Sequence, residues 1–104
     1  MTASLTLTTA DGTQVPDPDP AQIAAALRAL TIDDWFAILE FSDDTFLQVA
    51  VKADSYALER RAGGDETHVG TEVTTVDEVV EAFQAYARQD PTWIAGHTWE
   101  PVKL

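Results

Sequence analysis

The chain has 104 residues, with 18 Asp and Glu against 6 Lys and Arg, for a formal net charge of −12. That length supports one compact core, and 45% apolar and 9% aromatic residues separate it from acidic chains too poor in buried surface to fold. The charge argues against nucleic acid and membrane as direct partners, since both are held by Lys and Arg, and cysteine, with its disulfides and thiolate chemistry, is absent.

Leu5 and Leu7 alternate with Ser4, Thr6 and Thr8, the period of a half-buried strand, and Asp11-Gly12 is a turn signal. Val15 pairs back briefly before the prolines of Pro16–Pro20, which favour an extended connector. Asp19-Pro20 then reads as N-cap and first helical position, and Ile23, Leu27 and Leu30 predict a helix over 20–30. Trp35–Phe41 is apolar on both alternating faces and predicts a central strand.

After the turn residues Ser42-Asp43-Asp44, Leu47, Val49, Val51 and Ala53 share one face, and Phe46, Gln48, Ala50 and Lys52 the other. This is the pattern of a sheet covered on one side. Tyr56 and Leu58 continue the inner face, with Glu59 and Arg61 outside. Gly63-Gly64-Asp65 turns the chain into a fourth meander strand with Val69, Thr71 and Val73. Thr75-x-x-Glu78 is a capping box, and Val76, Val79, Val80, Phe83 and Tyr86 form the apolar stripe of a helix that Asp90-Pro91 ends. Thr98-Trp99-Glu100 predicts a last strand, which Pro101 confines to an edge. The expected fold is α+β: a mostly antiparallel sheet of five to six strands with two helices on one face, in a single domain.

Catalytic chemistry finds few candidates. Ser4, Ser42 and Ser55 lie in no nucleophile elbow, and Gly63-Gly64 lacks the lysine of a phosphate loop. The only histidines are His68 and His97. They could join Glu66 at a metal, but without fixed ligand spacing they are expected to be exposed and solvated. No enzyme, cofactor or metal is therefore expected. Trp35, Phe83 and Tyr86 are expected in the core, whereas Trp93 and Trp99, beyond the last helix, are read either as a lid over the sheet end or as binding anchors. In an antiparallel meander the turns near 43 and 65 leave the same end of the sheet, so Asp43, Asp44, Asp65 and Glu66 are expected to form an acidic rim facing a basic protein.

The C-terminal third, Thr75-x-x-Glu78-Val79-Val80-x-Ala82-Phe83-x-x-Tyr86 followed by Asp90, Trp93 and Thr98-Trp99-Glu100, resembles the first-numbered immunity protein family of bacterial polymorphic toxin systems. The resemblance loosely spans 20–103, with Trp99 as its family-type position. It implies a cytoplasmic α+β protein that binds and neutralises a cognate toxin, often a nucleic-acid deaminase. The leading expectation is an inhibitor that occludes the cleft of a basic toxin, using Asp43, Asp44, Asp65, Glu66, Trp93 and Trp99, with the open sheet face around Phe46, Gln48 and Glu59 as a second surface. The alternative is a structural or regulatory module that forms a homodimer through the sheet edge or the two tryptophans.

Overall fold

The computed structural model describes residues 5–42, 45–63 and 68–101. Its elements run β1 (Thr6–Thr9), β2 (Gln14–Pro16), α1 (Pro20–Arg28), β3 (Phe36–Ser42), β4 (Thr45–Val51), β5 (Tyr56–Ala62), β6 (Val69–Val73), α2 (Val76–Ala87), a 3-10 helix (Pro91–Gly96) and β7 (Glu100–Pro101). The strands form one antiparallel sheet in the order β2-β1-β3-β4-β5-β6-β7. The α+β class is as expected, with seven strands rather than five or six. The excess comes from very short edges: β2 has three residues and β7 two.

Local chemistry sets the boundaries. At the β1–β2 turn the Asp11 carboxylate accepts the Thr9 hydroxyl at 2.6 Å and the Thr13 amide at 2.9 Å. These bonds favour the charged form and hold its pKa at about 2. Gly12 follows at φ 89°, a conformation that glycine adopts without a Cβ clash. Asp19 caps α1 in a reciprocal box with Gln22, and Thr75 does the same for α2 with Glu78. Each cap satisfies backbone amides that a helix start leaves unpaired. Asp90 caps the 3-10 helix by accepting the amide and hydroxyl of Thr92, which lowers its pKa.

Register sorts the side chains into two faces. Leu7, Leu39 and Leu47 lie side by side across β1, β3 and β4, and the row continues into Arg60 and Val69. The next row on that face holds Ala37, Val49 and Leu58. The leucines, Ala37 and Val49 of these rows are fully buried, together with Ile23 and Leu27 of α1 and Val79 and Phe83 of α2, in one cluster. Both helices therefore cover this inner face. Arg28 and Asp77 pair at 2.7 Å between them, and the Gln84 side-chain amide donates to the Pro20 carbonyl. The phenol of Tyr86 is buried without a hydrogen-bond partner among the described residues, and desolvation pushes its pKa up to about 12.

Two core expectations are corrected. Trp35 is 50% exposed: it precedes the first residue of β3 and packs edge-on against Phe36 rather than under a helix. Ala53 does not continue the inner face of β4. It is exposed in the tight β4–β5 connection, which the Lys52 amide closes onto the Ser55 carbonyl at 2.9 Å.

Candidate functional site

Among the described residues the outer face of the sheet carries no helix. Its central row runs Thr8, Ile38, Gln48, Glu59, Gly70, Glu100 through six neighbouring strands, flanked by Glu40, Phe46 and Arg61 on one side and by Phe36, Ala50, Ala57 and Glu72 on the other. None of Phe36, Ile38 or Phe46 joins the inner core. Apolar side chains thus gather over β3 and β4, and carboxylates over β5, β6 and β7, with Arg61 of β5 among them. Where Gly70 contributes no side chain, a cavity of about 450 Å³ opens between Glu59, Glu72, Glu100 and Lys52. Lys52 is tied to Glu72 at 2.7 Å. An apolar centre beside an acidic flank is suited to a protein surface that carries basic residues around its own apolar patch.

His68 lies on this face and corrects the expectation of solvated histidines. Only 4% of it is exposed, its Nε2 faces a Glu59 carboxylate oxygen at 2.7 Å, and its ring meets Phe46 edge-on at 5.7 Å. The Nδ1 atom is buried without a hydrogen-bond partner among the described residues. His97 is half-buried between the two late tryptophans, with centroids 6.3 Å from Trp93 and 6.1 Å from Trp99. Among the described residues no group of three or more His, Asp or Glu is placed to hold a metal.

Trp93, on the 3-10 helix, and Trp99, just before β7, meet edge-to-face at 5.5 Å and pack partly buried against the core. The Trp99 indole N–H donates to the Ile94 carbonyl at 2.9 Å. Its ring carries the Arg60 guanidinium, reaching up from the inner row, at 4.9 Å. Both rings thus pack on one side against the core and keep part of their surface in solvent. Asp43, Asp44, Asp65 and Glu66 lie outside the described residues. The strand ends that flank them do fall at one end of the sheet, since Ser42 pairs with Thr45, Thr45 with Ala62, and Arg60 with Val69.

The sequence pointed to Phe46, Gln48 and Glu59 as an open face, but not to Phe36 and Ile38 as part of it. The available signal was the apolar outer parity of β3, which reads equally as a strand buried on both sides. No helix among the described residues is long and apolar enough to cross a membrane. Comparison with family models, curated proteins and solved structures finds no match for the chain. The class is therefore defined by the architecture itself: an α+β domain with one sheet face covered by two helices and the other open.

Proposed function

We propose that this domain is an immunity-type inhibitor. It binds a basic, nucleic-acid-acting toxin, such as a deaminase, in the cytoplasm and occludes its substrate cleft. It acts by binding alone and needs no cofactor. The observation that carries the reading is the open outer face, where Phe36, Ile38 and Phe46 adjoin Glu40, Glu59, Glu72 and Glu100 in register. A standard interface of about 800 Å² per partner takes up roughly an eighth of the 6169 Å² surface, an area that one sheet face can supply. Carboxylates beside an apolar centre present to a nucleic-acid enzyme the charge its own substrate presents. The resemblance of the segment from Thr75 to Glu100 to an immunity family points the same way.

Self-association is the weaker reading. Among the described residues both edge strands are short and carry a proline, Pro16 and Pro101, which limits strand addition. The Trp99 indole donor is already spent inside the chain. The test is co-expression with the product of the neighbouring gene, followed by size exclusion with light scattering. A one-to-one complex that abolishes the partner's toxicity supports the inhibitor reading; a homodimer with no affinity for that product refutes it. If Asp43, Asp44, Asp65 and Glu66 contribute, replacing them by Asn and Gln slows association and flattens its salt dependence.

A further inference from the structure

A second cavity, of about 240 Å³, lies between α2 and the 3-10 helix, lined by Glu78, Glu81, Ala82, Trp93, Gly96 and His97. Its volume is below the roughly 300–1,000 Å³ of small-molecule sites, and suits a single side chain. Glu78 and Glu81 are three residues apart on α2, hence neighbours on its surface. One Glu78 oxygen is engaged by the Thr74 and Thr75 amides, whereas Glu81 makes no hydrogen bond or ion pair among the described residues. The opposite wall is aromatic, with Trp93 held edge-on to both His97 and Trp99. Small residues, Ala82 and Gly96, leave the space between.

Carboxylates facing an aromatic wall recognise cations, through charge-assisted hydrogen bonds on one side and the ring quadrupole on the other. A planar guanidinium meets both demands better than an ammonium, since it stacks and forks at once. The aromatic cluster already holds one internally, with Arg60 over Trp99 at 4.9 Å. We infer that the cavity between α2 and the 3-10 helix receives an arginine side chain of a protein partner. This deepens the reading given above and rests on it only for the identity of that partner as a toxin.

The probe is N-acetyl-arginine methylamide, titrated into the full chain at low salt while the Trp93 indole N–H and the Gly96 amide are followed by NMR. The neutral isostere N-acetyl-citrulline methylamide serves as control. The arginine probe is expected to shift both signals saturably at millimolar concentration and the citrulline probe to leave them unmoved. Glu81→Gln, an exposed change that spares the core, weakens the arginine probe by about tenfold. Equal shifts with both probes, no saturable shift, or unchanged affinity in Glu81→Gln overturns the assignment. A toxin partner that binds Glu81→Lys as tightly as the parent chain overturns the pocket while leaving the inhibitor reading intact. Saturable arginine binding by a chain that neutralises no toxin does the reverse.

Discussion

Adjacent residues on β4 test the two-faced sheet most sharply. Leu47 is fully buried between Leu39 and Arg60 on the helix-covered face, while Gln48, the next residue, lies between Ile38 and Glu59 on the open one. Leu47→Ala removes about three methylene equivalents at about 0.8 kcal/mol each, roughly 2.4 kcal/mol before the cavity it leaves is counted. With that cavity the cost is about 3–5 kcal/mol. Against a total stability on the order of 5–15 kcal/mol, the melting temperature falls by something on the order of 10–30 °C. Gln48→Ala, by contrast, stays within about 0.5 kcal/mol. Urea denaturation followed by tryptophan fluorescence reads both, and the midpoint is expected to move with the slope unchanged. Comparable losses for the two variants, or a Leu47→Ala cost below about 1 kcal/mol, would refute the assignment of faces.

Thr75→Ala removes the acceptor of the Glu78 amide and destabilises the fold by about 1 kcal/mol, as measured by the same melts. Tyr86 deprotonates only near pH 12 because its phenol is buried. Its neutral form is favoured in the folded state, so this contribution is complete below pH 10 and is lost as pH rises through 12. Ultraviolet titration should show a late Tyr86 phenolate, and Tyr86→Phe should abolish it at little or no cost to stability, because the hydroxyl has no partner among the described residues. The Asp11 carboxyl, held at about 2 by Thr9 and Thr13, contributes stability above its ordinary pKa that is lost as pH falls through 2. Thr9→Val should return its carbon-13 titration toward the ordinary value of 3.8.

What was legible in the sequence was local. Asp19-Pro20 and Thr75-x-x-Glu78 mark helix starts because a cap is made within four residues. The alternation of Leu47 and Val49 with Phe46 and Gln48 separates two faces because the strand period is two. Trp35 was misread because an apolar run does not reveal where the covering helices stop. His68 was misread because its partners come from other strands: Glu59 from β5 and Phe46 from β4. Only the register of three strands brings them together. The 3-10 helix had no periodic signal in its six residues, so neither the Trp93–Trp99 contact nor the cavity beside α2 could be read beforehand. The sheet end expected to carry the acidic rim follows from topology, and its flanking strand ends meet there as meander pairing requires.

The central claim is that the open sheet face binds a basic protein. Gln48→Arg sets a like charge at the centre of that face without touching the core. Calorimetric titration of the parent chain and of this variant with the product of the neighbouring gene is the direct measurement. A tight parent complex weakened by more than about a hundredfold in Gln48→Arg, as the cost of like charges at an interface implies, is the expected result. A variant that binds and neutralises as well as the parent contradicts the claim.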